Sequence, residues 1–197
     1  MSFHLGLTGS IGMGKSTTAQ MFADRGCAIW NADAAVHRLY GKDGAAVASI
    51  TALFPEAVQD GTVDRAALRE MIAKDPTALP RIEAIVHPLV QQDRAVFKAT
   101  ENADVLVFDI PLLFETGAED EMDAVACVFV NAAEQRRRVL ERGTMTPLQF
   151  EQILAKQMPI AEKLARAEYH IETDTLDHAA AQVDQILEEI QKRMRDA

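Results

Sequence analysis

Residues 7–18 read "LTGSIGMGKSTT", Leu7 to Thr18. Within this stretch, Gly9 to Ser16 matches the pattern G-x-x-x-x-G-K-[ST] without a gap. The composition follows from the chemistry of holding phosphate. Gly9, Gly12 and Gly14 let the backbone turn tightly and bring N–H groups, that of Met13 among them, against phosphate oxygens. A helix starting at Lys15 adds its positive N-terminal end. In such a loop Lys15 reaches the β- and γ-phosphates, Ser16 ligates Mg²⁺, and Thr17 adds a hydroxyl near the α-phosphate. The flanks agree with this reading: an apolar strand at Phe3–Thr8 precedes the loop, and a helical pattern over Lys15–Arg25, stopped by Gly26, follows it.

Working outward, further short apolar runs occur at Cys27–Trp30, Val105–Phe108, Ala126–Val130 and Tyr169–Ile171. Runs such as "VLVF" read as strands covered on both faces, as in a parallel sheet. Helical patterns separate them, at 132–142, from Pro147 to Met158 behind a Thr146 N-cap, and at 176–195. The expectation is an α/β P-loop NTPase fold with a five-stranded parallel sheet flanked by helices. Residues 34–103 show no clear strand and read as helices broken at Gly41, Gly44, Pro55, Gly61, Pro76 and Pro80. The chain thus reads as one P-loop domain over 1–197. Residues 1–33 and 104–197 form its core, 34–103 an inserted helical substrate lobe, and about 137–160 a helical lid.

The bulk properties set limits. A net charge of −10 disfavours a broad nucleic-acid-binding face, while leaving room for a local basic cluster. No apolar run reaches membrane-spanning length and no signal segment is visible, so a cytoplasmic protein without membrane contact is expected. Cys27 and Cys127 both lie in apolar runs without metal-site spacing and read as buried thiols. A monomer is the expectation, with assembly left open.

A GTPase switch would carry an N-K-x-D segment, which is absent, and larger ATPases need more chain than 197 residues. A small P-loop domain with an insert and a basic lid points to a small-molecule kinase. Such an enzyme needs a carboxylate to take or orient the acceptor proton. Asp33, just after the second strand, opens the insert and is the better base, although "NADAAV" also suits it as a helix cap. Asp109 ends a Walker-B-like strand and fits a water-mediated Mg²⁺ contact. Arg138 and Arg142 share a helix face and are placed to neutralise a transferring phosphoryl group, whereas Arg136 and Arg137 read as solvated. Lys163 reads as a surface lysine, with an approach to the nucleotide as the alternative.

Several segments together resemble the dephospho-CoA kinase family. They are "GLTGSIGMGKST", "NADAAVH", "IVHPLV", "DIPLLFE", "RVLERGTMTPLQFEQILAKQ" and "AEKLARAEYHIE", which span about 5 to 175. The resemblance implies ATP and Mg²⁺ as co-substrate and metal. It also implies dephospho-CoA as the small-molecule partner and phosphorylation of its ribose 3′-hydroxyl, the last step of coenzyme A synthesis. By the same resemblance Asp33 is the base, His87, Leu113 and Glu115 line or shape the acceptor pocket, and Arg142 belongs to the lid. Two positions depart from the family pattern. Asn31 stands where a first aspartate is common, and Ile171-Glu172-Thr173 replaces I-D-N, so only a backbone contact to adenine is expected there. Two rival readings are another small-molecule or nucleotide kinase and a non-catalytic P-loop regulator.

Overall fold

The computed structural model describes residues 2–196. The chain opens with β1 (Phe3–Gly9), α1 (Lys15–Ala23) and β2 (Ala28–Asn31). It continues through α2 (Ala32–Tyr40), α3 (Val47–Leu53), a short hairpin of β3 (Val58–Gln59) and β4 (Thr62–Val63), α4 (Arg65–Lys74) and α5 (Ala78–Thr100). It then runs through β5 (Val105–Asp109), β6 (Ala124–Phe129), α6 (Ala132–Glu141), α7 (Pro147–Leu154), α8 (Ile160–Arg166), β7 (Tyr169–Glu172) and α9 (Leu176–Asp196). Two compact units result. One joins the residues up to Trp30 with those from Glu101 onward, and the other is Asn31–Thr100.

The first unit is built on a five-stranded sheet in the order β2-β5-β1-β6-β7. The pairs β1–β5, β1–β6 and β6–β7 are all parallel. All five residues of β5 are buried, as a strand covered on both faces requires. Leu5, Leu7, Phe22, Val107, Ala126, Val128 and Ile171 form the core with Val183, Ile186, Leu187 and Ile190 of α9. Phe22 is fully buried, and each such side chain contributes about 1.5–3 kcal/mol. The register pairs Leu7 with Asp109 and Gly9 with Val128, which sets the β5 carboxylate level with the start of the glycine loop. Position in the sheet therefore delivers Asp109 to the loop.

The second unit has its own core of Leu39, Tyr40, Ile50, Phe54, Val63, Leu68, Ile82 and Val86. It is not purely helical. Val58 pairs with Val63 and Gln59 with Thr62 around a two-residue Asp60-Gly61 turn. Both turn residues have positive φ, 50° and 75°, as an Asp-Gly hairpin demands. Pro80 does not break the lobe either, because it falls in the first turn of α5, where no backbone donor is needed. Pro88 lies inside the same 23-residue helix. It is exposed, as is Ala84 four residues earlier, so water can satisfy the carbonyl that the proline leaves unbonded.

Two further expectations shift. The helix expected from Pro147 to Met158 stops at Leu154, and a separate α8 begins at Ile160 after Pro159. Thr146 does cap α7, in a reciprocal capping box with Gln149. Cys127 is fully buried but Cys27 only partly so. Burial pushes the Cys127 thiol up to about 12 and that of Cys27 to about 11, so both stay protonated and unreactive.

Candidate active site

The glycine loop bridges β1 and α1. Gly12 has φ 77° and Gly14 φ 85°, a left-handed conformation that side chains strain to adopt. Space excludes side chains as well: a Cβ on Gly12 would stand 2.4 Å from Val139 Cγ2 and 3.2 Å from the Gln135 carbonyl. At the loop's end the Lys15 ammonium is ion-paired with Asp109. The Asp109 side chain is only 1% exposed and that of Lys15 13%, so this charge pair is largely withdrawn from water. Ser16 and Thr17 are exposed in the first turn of α1. Met13 is buried, and both of its backbone groups are bound within the protein, the N–H to the Ser10 carbonyl at 3.2 Å and the carbonyl to Thr173.

Side chains distant in sequence hold the loop. Gln135 of α6 donates to the Ile11 carbonyl at 2.8 Å, and the Gln157 side-chain carbonyl accepts from the Ile11 N–H at 3.2 Å. Thr173, just past β7, donates from Oγ1 to the Met13 carbonyl at 2.9 Å. The same oxygen accepts from Arg138 at 3.1 Å, while a second Arg138 nitrogen donates to the Thr173 carbonyl at 2.6 Å. Arg138 Nε is bound by Glu134 at 2.7 Å. The Glu134 carboxyl is held down to about 2 by Arg137 and Arg138.

Arg138 is therefore engaged at every nitrogen in bracing the loop. The cause is local: an i, i+4 carboxylate and two Thr173 oxygens outcompete water for the guanidinium. Arg142, by contrast, is exposed at the end of α6, and its side chain makes no ion pair or hydrogen bond among the described residues. Arg136 and Arg137 do sit at the surface, paired with Glu151, Glu134 and Glu141. Such exposed pairs contribute little.

The departure at 172–173 also resolves. Gln182 binds both the N–H and the carbonyl of Glu172, each at 2.9 Å. The Thr173 N–H donates to Phe129 and its carbonyl accepts from Arg138. The two N–H groups are thereby occupied, while each carbonyl keeps a second lone pair. Thr173→Val keeps the shape and removes Oγ1. With about 1 kcal/mol per lost hydrogen bond, KM for ATP should rise by roughly 3- to 10-fold, and Thr173→Ser should restore it. An unchanged KM for ATP in the valine variant would show that Thr173 does not position the loop.

Beyond β5 the "DIPLLFE" turn begins. Leu113 is fully buried, and its Cδ1 would stand 2.6 Å from a Cβ on Gly6, so it packs on β1. It has no surface to offer a ligand, and its expected role narrows to shaping the turn. Leu112 is 42% exposed. Lys163 is not a surface lysine: its side chain is 0% exposed, and Nζ donates to the Pro111 carbonyl at 2.9 Å and to Glu115. Burial would raise the Glu115 carboxyl, but the Met158 N–H and the Lys163 ammonium outweigh it and hold Glu115 below the usual range.

In the second unit, Asn31 caps α2 by accepting the Ala34 N–H at 2.7 Å. Asp33 is thereby relieved of the capping role that its sequence setting also allowed, and it lies exposed in the first turn. His87 is exposed on α5. Of the residues that matter to this site, the sequence reading missed Gln135, Gln157 and the buried state of Lys163. Their partners lie 124, 146 and 48 residues away, and no spacing rule connects them.

A family model described as Dephospho-CoA kinase matches residues 3–178. The chain belongs to the dephospho-CoA kinase family. It is similar to the dephospho-CoA kinase of Ruegeria pomeroyi, with 66% identity over 190 residues, 96% of each chain. The dephospho-CoA kinase of Cereibacter sphaeroides is 57% identical over the same length and share. The crystal structure of TT1252 from Thermus thermophilus matches with a TM-score of 0.85 at 31% identity, covering 95% of this chain and 97% of that one. Membership in a kinase family makes ATP the phosphoryl donor. It also disfavours the rival readings of an unrelated kinase or a non-catalytic regulator. Among the described residues, no helix is long and apolar enough to cross a membrane.

Proposed function

We propose that the protein transfers the γ-phosphoryl group of ATP to the ribose 3′-hydroxyl of dephospho-CoA, giving coenzyme A and ADP, the last step of coenzyme A synthesis. The observation that carries this reading is the Lys15–Asp109 pair at the end of a glycine loop, in a chain of this family. The 3′-oxygen attacks the γ-phosphorus in line, the bond to the bridging oxygen of ADP breaks, and the hydroxyl proton passes to Asp33. The exposed carboxylate of Asp33, with Asn31 doing the capping, supports that role. Lys15 and the loop N–H groups hold the phosphates.

The Ser16 hydroxyl and the Asp109 carboxylate are hard oxygen donors that suit Mg²⁺, which when bound neutralises phosphate charge. Arg142 covers the transferring group from the lid, about 137–160, and the uncommitted state of its side chain fits this. Asp33 opens the inserted lobe, and His87, Leu113 and Glu115 line or shape the acceptor pocket. Two unreactive thiols suit a reducing cytoplasm.

The test is ADP release from Mg-ATP with dephospho-CoA, without acceptor, and with a panel of nucleoside monophosphates. Release only with dephospho-CoA is expected. Equal release without acceptor would mean a plain ATPase, and release driven by a monophosphate would mean a different kinase.

A further inference from the structure

Gln157 and Met158 are neighbours in the link between α7 and α8, yet one binds the phosphate loop and the other the turn after β5. The Gln157 side chain takes the Ile11 N–H of the phosphate loop at 3.2 Å. The Met158 N–H is taken by Glu115, at the end of the "DIPLLFE" turn, at 2.8 Å. Glu115 is itself anchored by the fully buried Lys163 of α8, at 3.0 Å. Lys163 also holds the Pro111 carbonyl at 2.9 Å, and Thr8, just before the glycine loop, donates to that same carbonyl at 3.1 Å. A buried lysine costs desolvation and is retained only where its partners are good. Here every partner lies on the turn after β5, and the phosphotransfer mechanism uses none of these contacts.

We propose that Gln157-Met158, anchored by Glu115 and Lys163, is a clasp that couples occupancy of the phosphate loop to occupancy of the acceptor turn, with Gln157, Glu115 and Lys163 as positioning residues. The inference rests on the turn 111–115 bordering the acceptor. A shift of the Ile11 backbone on nucleotide binding moves Gln157, and the adjoining peptide carries the movement to Glu115. The converse holds by reciprocity of binding free energies. Coupling of this kind makes ATP bind more tightly once the acceptor is bound and so favours transfer over acceptor-independent hydrolysis of ATP.

The experiment is calorimetric binding of dephospho-CoA with and without a non-hydrolysable ATP analogue. The proteins compared are the wild type, Gln157→Met, the neutral pair Glu115→Leu with Lys163→Met, and Leu112→Ala, each with its thermal midpoint. In the wild type the analogue should tighten dephospho-CoA binding by about fivefold or more. In Gln157→Met and in the neutral pair that factor should fall to near one. Gln157→Met should keep its thermal midpoint and its affinity for dephospho-CoA alone. A purely structural role would lower the midpoint and both intrinsic affinities but leave the factor intact, which would overturn the clasp. A wild-type factor of one would overturn it too, while leaving the proposed activity standing. Absence of dephospho-CoA binding, or an unchanged affinity in Leu112→Ala, would instead overturn the acceptor reading on which the clasp rests.

Discussion

Asp33→Asn is expected to lower kcat by about 10²–10⁴-fold, the usual contribution of a positioned general base, with ATP binding nearly unchanged. The structure makes this substitution clean. Asn31, not Asp33, satisfies the Ala34 N–H at the start of α2. Losing an exposed carboxylate in a first helical turn costs only about 0.3–1 kcal/mol, too little to unfold the lobe. The fall in turnover would therefore report chemistry. Steady-state ADP release with a parallel ATP titration and thermal melt checks it. Near-normal turnover would remove Asp33 from the role of base.

Lys15→Met is expected to act twice. It removes a charge from the phosphates, costing about 10²–10³-fold in kcat, as loss of one transition-state donor does. It also strips the ammonium from Asp109, whose side chain is 1% exposed, and breaking a buried ion pair costs about 3–5 kcal/mol. The two effects separate in the double variant Lys15→Met with Asp109→Asn. Its melting temperature should recover toward that of the wild type while its turnover does not. Recovery of turnover in the double variant would mean that Lys15 serves only to neutralise Asp109. An unchanged melting temperature in the single variant would mean that the pair is not formed in solution.

Local patterns carried much of the fold. The glycine loop, the buried strands and the stripe Val183, Ile186, Leu187 and Ile190 of α9 are each legible because one segment contains the whole signal. The hairpin at 58–63 was legible too, in its Asp60-Gly61 turn, but was read only as a break between helices. Pro80 misled for a related reason. Proline breaks a helix only where its missing donor and its clash leave a group unsatisfied, and Pro80 sits in the first turn of α5, where the backbone loses little.

Side-chain commitments were not legible. Arg138 and Arg142 look alike in "EQRRRVLERG", yet Thr173 and Glu134 bind one and leave the other exposed. Thr173 showed in the sequence only as a departure from a family pattern, and its work of tying the Met13 carbonyl spans 160 residues. Lys163 was taken for a surface residue because lysine almost always is one. It is buried because Glu115 and the Pro111 carbonyl, 48 and 52 residues away in the chain, meet it.

By itself the sequence determined the phosphate loop, the α/β framework and, through its family motifs, the reaction. These depend on residue types at fixed short spacings, which backbone geometry enforces. Only the tertiary structure decided which arginine is free, which lysine is buried, and that Asp109 meets Lys15 across 94 residues. Such pairings depend on the order of strands in the sheet and on competition among partners for the same polar atom, and neither is written in any local stretch of chain.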